Sequence, residues 1–364
     1  MIKKILLTLL LFLVLIIAVL SIPLARHTIV SAFLPKIPDL PAAQSTLNVD
    51  TRGRIYFPSS SPFDLDVIFN GMQNALETTG VGDLYLPANI SVENPVGLII
   101  LAHGSGGIAP GREDQYAQLL NTNGYGAFIL DYYAPRGASR ETGYLAKTAS
   151  ATEFDIVADA YAALKVLSTH PLIDENRIGI MGFSYGAMAA RLSADSRFRD
   201  NLAAGHPGFA VHIDAYGPCF QNLQTSQTTG GAHLTLRGTE DTSNDLEACL
   251  VREQELRELG DTVIAKVYEG AGHAWENLTP RVMGNHPYLS GCEVIYDAQG
   301  FAMLNGERIT SYNVDAKRIE RVIARFTSGP KYNDCLHKGY IIGNDPETKA
   351  KANQHLLEFL GEHL

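Results

Sequence analysis

The pattern of apolar and polar positions changes character near residue 96. From there, short apolar runs alternate with longer amphipathic ones. Residues 96–102 are wholly apolar. Together with 127–131, 177–181, 209–215, 233–237 and 263–268 they predict strands. Between them, 113–123 (stopped by Gly124), 152–169 (stopped before Pro171), 187–194 and 245–259 predict helices. Apolar strands alternating with helices require a mostly parallel sheet covered by helices on both faces, wound by right-handed crossovers. The expected fold class is therefore α/β. Upstream, 54–57 and 83–86 predict two strands of an antiparallel edge.

The ends read differently. Lys3 and Lys4 precede an apolar run at 5–20, followed by Ser21, Ile22 and Pro23. A basic start before a long apolar run is a secretory signal or an uncleaved anchor, so residues 1–23 are expected to reach a membrane. Lysines before the run would keep the N-terminus inside and export the rest. Residues 24–44 carry Pro35, Pro38 and Pro41 and read as a linker. The α/β domain would then occupy 45–364. An insertion is expected at about 285–343, with a helix near 316–326, before a last helix at 346–360.

The chain has 364 residues, 46% hydrophobic and 19% charged, ample for a packed core. A formal net charge of −10 with no basic block disfavours a nucleic-acid partner. Four cysteines, Cys219, Cys249, Cys292 and Cys335, suit an exported domain. They permit two disulfides in three connectivities. Cys219 with Cys249 and Cys292 with Cys335 is the favoured pairing, because each pair brackets one loop-rich region. No Cys-x-x-Cys spacing suggests zinc or redox catalysis.

The chemistry gathers where predicted strands end. Gly182-Phe183-Ser184-Tyr185-Gly186 follows an apolar run and precedes a small-residue helix, the arrangement of a nucleophile elbow. Alone it is a weak signal in a chain with 33 glycines. Asp241 follows the next strand but one, and His273 follows the strand after that. Serine, acid, histidine is the order of α/β-hydrolases. His273 is the candidate base for Ser184, and Asp241 the residue that orients it. Glu240 and Asp245 compete with Asp241, although Asp245 sits where a helix N-cap belongs. The turn His103-Gly104-Ser105-Gly106-Gly107 follows the first parallel strand. A backbone N–H at Ser105 or its neighbour Gly104 would join that of Tyr185 as an oxyanion hole. His103 and Trp275 are candidates for the substrate pocket; the alternatives are a structural hydrogen-bonding place beneath the oxyanion turn for His103 and packing under the histidine loop for Trp275. Asp131, at the end of a strand, is read as a partner for the oxyanion loop or for Arg136.

Taken together, the stretch 96–275 resembles the dienelactone hydrolase family of α/β-hydrolases. The pieces that carry the likeness are the His103–Gly107 turn, Asp131 with Arg136-Gly137, the Ser184 elbow, Gly238-Thr239-Glu240-Asp241 and Gly270-Ala271-Gly272-His273-Ala274-Trp275. The family's founding members use a cysteine nucleophile, where this chain has Ser184. The resemblance implies a triad of Ser184, Asp241 and His273, with no metal and no organic cofactor. The expected activity is hydrolysis of a small ester or lactone through an acyl-serine.

Overall fold

The computed structural model describes residues 23–364; the apolar run at 5–20, read as a signal or anchor, lies outside the described residues. The stretch read as a linker begins with a helix, Pro23–Phe33, before it becomes extended. No helix among the described residues is long and apolar enough to cross a membrane.

The antiparallel edge is longer than the two short runs suggest: β1 (Gly53–Ser61) pairs along its length with β2 (Leu76–Tyr85). The alternating part follows as β3 (Val96–Ala102), β4 (Gly126–Leu130), β5 (Ile173–Phe183), β6 (Val211–Ala215), β7 (Gln221–Asn222), β8 (Ala232–Gly238) and β9 (Val263–Tyr268). All but β7 form one sheet, in the order β1-β2-β4-β3-β5-β6-β8-β9. From β4 to β9 every pairing is parallel, whereas β2 joins β4 antiparallel. The winding reverses between β3 and β5. That reversal leaves a crevice beyond their carboxyl ends, where open α/β sheets bind ligands.

Side chains along a strand alternate between faces, so a wholly apolar strand feeds two cores. Leu98 and Ile100 pack with Phe154, Val157 and Tyr161 of the helix Glu153–Leu167. Ile99 and Leu101 pack with Tyr116 of the helix Glu113–Thr122 and Leu356 of Pro346–His363. The helix Glu153–Leu167 starts where it does because Thr152 and Asp155 exchange capping hydrogen bonds. Asp245 caps Leu246–Glu258.

The stretch read as an insertion has two parts. β10 (Val282–Leu289) pairs antiparallel with β14 (Leu336–Ile342). Between them, β11 (Val294–Tyr296), β12 (Ala302–Leu304) and β13 (Glu307–Arg308) form a small sheet that takes in β7. A helix, Arg318–Thr327, completes it. Its Arg321 is buried and grips Asp64 and Asp66, which fastens this stretch to the start of the short helix Leu65–Asn70 after β1. The cysteines pair as the favoured connectivity has them, Cys219–Cys249 and Cys292–Cys335. Disulfides of this kind persist in oxidising compartments.

Candidate active site

β5 ends in a turn that only small residues allow. A Cβ on Gly182 would lie 2.1 Å from the Gly186 carbonyl oxygen, and one on Gly186 would lie 2.2 Å from that of Ala102. With both positions empty, strand and helix approach closely enough to force Ser184 to φ 53°, ψ −111°. A non-glycine residue held there is strained by about 1–3 kcal/mol. Its N–H is tied to the Ala215 carbonyl at 2.9 Å. The helix Tyr185–Leu192 starts two residues earlier than the apolar pattern indicates, directly after the serine.

Three distant residues converge on this tip. His273 Nε2 is 2.9 Å from Ser184 Oγ. His273 Nδ1 is 2.6 Å from Asp241 Oδ2. Asp241 also accepts from the Ser243 N–H at 3.1 Å, the Ser243 hydroxyl and the Asn244 amide. Ser243 and Asn244 were not singled out from sequence. Their signal was an acid followed at once by short polar residues, the pattern of an Asx turn. Of the competing acids, Glu240 is exposed and pairs with Arg281, while Asp245 caps its helix.

The loop carrying His273 is fixed from two sides. The His273 N–H donates to Ile341 of β14 at 2.7 Å, and its carbonyl accepts from the Gly343 N–H at 3.1 Å. Tyr216 and Tyr340 meet the imidazole edge-on, at centroid distances of 4.7 and 5.1 Å.

The turn after β3 passes over the serine: a Cβ on Gly104 would sit 3.4 Å from the Ser184 Cβ. Its carbonyls are occupied from behind. Tyr132 donates to His103 and Gly104, Tyr133 donates to Ser105, and the His103 ring lies 2.8 Å from the Gly104 oxygen.

Ser105 and Ser184 line one cleft of about 450 Å³, shared with Tyr144, Leu145, Pro287, Tyr288 and Leu336. Its inner wall carries a polar cluster. Glu153 accepts from the Tyr185 hydroxyl at 2.9 Å, Arg325 at 3.0 Å and Gln221 at 2.7 Å. Nothing in the sequence marked Arg325, since only the insertion's fold brings it there.

Two expected pocket residues are elsewhere. His103 is fully buried and stacks on Tyr132; burial lowers its pKa to about 3, so it is neutral. Trp275 is buried between Tyr216 and Tyr268 beneath the histidine loop. Neither lines the cleft, because both side chains point into the core that supports its floor. Arg136 does not pair with Asp131 either. It binds Asp159 at 2.6 Å, while Asp131 accepts from the Ala134 N–H. Among the described residues no group of three or more His, Cys, Asp or Glu side chains is placed to hold a metal ion.

A mostly parallel, doubly covered sheet with a serine at such an elbow defines an α/β-hydrolase. Residues 83–319 match the dienelactone hydrolase family, and the chain belongs to it. It is thus a member of a family of hydrolase enzymes. Among solved structures it is similar to the propionate-bound esterase Est2 of Thermogutta terrifontis, at 16% identity over 54% of this chain and 80% of that one, with a TM-score of 0.43. It is also similar to the dienelactone hydrolase-like promiscuous phosphotriesterase P91 from metagenomic libraries, at 12% identity over 78% and 100%, with a TM-score of 0.45. No curated protein matches the chain.

Proposed function

We infer that this protein is an exported serine hydrolase that cleaves carboxylic esters or lactones through an acyl-Ser184 intermediate. The observation that carries the reading is the unbroken line from Ser184 Oγ to His273 Nε2, and from His273 Nδ1 to Asp241. His273 takes the hydroxyl proton as Ser184 attacks the carbonyl carbon. It then returns the proton to the departing alcohol oxygen, or to the ring oxygen of a lactone. Water, deprotonated by the same imidazole, attacks the acyl-serine and releases the acid. Asp241 keeps the Nδ1 proton in place and stabilises the imidazolium.

The oxyanion is received by backbone N–H groups. That of Tyr185 opens its helix and has no intrahelical acceptor. The second comes from the turn at Gly104 and Ser105. The Gly107 N–H of this turn is taken by the Gly104 carbonyl at 2.9 Å, and those of Gly104 and Ser105 are left for the oxyanion.

Export is supported by the two disulfides and by the apolar run at 5–20 with lysines before it. On this reading residues 24–44 connect a membrane segment to a hydrolase domain at 45–364, with residues 285–343 inserted as a cover for the cleft.

Labelling with a fluorophosphonate tests the reading. Wild type should label and Ser184→Ala should not. Equal labelling of the two, or none in a folded wild type, rejects it. A panel of matched esters and anilides separates an esterase from an amidase.

A further inference from the structure

The cleft opens through an apolar rim. Leu145 is 66% exposed, Tyr144 50% and Leu336 44%, yet all three line the same cleft as Ser184. Pro287 joins them and is exposed as well. These residues come from three elements, the helix Tyr144–Ser150, β10 and β14. An apolar rim of this kind on an enzyme marks a surface that meets something other than water.

The N-terminal helix lies against the same rim. Val30 and Leu34 pack on a small core of Phe63, Ala149 and Val322. Ala149 is one helical turn from Leu145, and Val322 is one turn from Phe326, so each pair shares a helix face. Phe326 is 44% exposed and Phe33 77%. The chain is also wedged at Lys36, whose carbonyl oxygen would lie 1.9 Å from a Cβ on Gly137. The segment that leads out of residues 1–22 is therefore seated beside the cleft mouth, not trailing freely. The chain outside the described residues contains the apolar run at 5–20 and ends where this helix begins.

The geometry points to a lipid bilayer as the partner of this rim. Tyr144, Leu145, Leu336, Phe33 and Phe326 rest in its surface, and the cleft takes its substrate from the lipid phase, an ester with a long hydrocarbon chain. The apolar run supplies the tether, and a short tether holds the rim at the surface at high effective concentration. In the chain just before the rim residues the exposed charges are of both signs, Arg140 and Glu141 ahead of Tyr144 and Lys331 and Asp334 ahead of Leu336, so the contact is apolar and should resist salt. The substrate class rests on the hydrolase reading above, whereas the orientation does not.

The test uses the full chain in phosphatidylcholine vesicles containing doxyl-labelled lipid. An environment-sensitive fluorophore is placed on Leu145→Cys and, as a control, on Val92→Cys. Val92 is exposed and lies in the loop before β3, at the opposite end of the sheet. Quenching at Leu145 should exceed that at Val92 at least threefold and persist in 1 M salt. Equal quenching, or loss in salt, overturns the proposal whatever the activity. In a second arm, Phe33→Ser/Phe326→Ser should hydrolyse a vesicle-borne long-chain ester about tenfold more slowly, with 4-nitrophenyl acetate hydrolysis unchanged. Unchanged rates on both substrates also overturn it. Loss of fluorophosphonate labelling in wild type would instead reject the hydrolase reading.

Discussion

The His273 N–H donates to the Ile341 carbonyl at 2.7 Å, so the candidate base is held by a strand of the insertion. Gly272 makes that approach possible. A Cβ there would lie 2.6 Å from Ile341 Cγ2 and 2.7 Å from its carbonyl oxygen. Gly272→Ala should therefore push the histidine loop off β14. Displacement of a catalytic group by about 1 Å costs on the order of 100-fold in rate. Kinetics should show that loss in kcat, with circular dichroism unchanged.

The proposed triad of Ser184, His273 and Asp241 predicts a graded response. Asp241→Asn offers His273 an amide where it needs a carboxylate, and kcat should fall about 10⁴-fold. Ser243→Ala removes one of several donors to that carboxylate and should cost far less, roughly 10-fold. If Ser243→Ala matched Asp241→Asn in steady-state assays, the assignment of the acid would be wrong.

Cys292–Cys335 closes the far end of the β10–β14 pair, whose other end holds His273. Cys292→Ser/Cys335→Ser should lower stability by about 2–4 kcal/mol in urea titrations. It should also lower kcat, since a looser β14 releases the histidine loop. Loss of stability with kcat intact would show that the loop is held by its own turn.

Arg321 is buried between Asp64 and Asp66 and also donates to the Asn313 and Val314 carbonyls. Arg321→Met leaves those acids without their cation. Breaking one side of a buried pair costs about 3–5 kcal/mol. Thermal melts should show this loss, and limited proteolysis should cut first within the insertion.

Below neutrality two opposite pH dependences of stability should overlap, for different reasons. Burial lowers His103 and His212 from 6.5 to about 3, so the unfolded chain binds protons that the folded one refuses. Their contribution is complete above pH 6.5 and is lost as pH falls towards 3. Glu276, beneath the histidine loop, receives the Tyr216 hydroxyl and is raised by burial from 4.5 to about 7. Its contribution is complete below pH 4.5 and is lost as pH rises to 7. Glu276→Gln should abolish that second loss, leaving the variant more stable relative to wild type at pH 8 than at pH 4 in denaturant titrations.

Much of this was legible in the residues before any coordinates. A parallel sheet buried on both faces needs continuous apolar strands, and 96–102 could be nothing else in that setting. Gly182, Ser184 and Gly186 spelled a close approach of strand and helix. The order of Ser184, Asp241 and His273 followed from the positions of strand ends. Asp245 read as a cap because capping is decided within one turn of chain. These are local rules, and local rules leave their mark on local sequence.

Tertiary structure decided the rest. His103 and Trp275 are flanked by candidate site residues, but which way a side chain faces depends on the layer beneath it, and both face the core. Arg136 found Asp159 rather than Asp131 because helix and loop pack together 23 residues apart in sequence. Arg325 reaches Glu153 and Tyr185 only when the insertion folds over the cleft. Ile341 supports His273 across 68 residues by a backbone carbonyl, a group every residue carries and no sequence can flag.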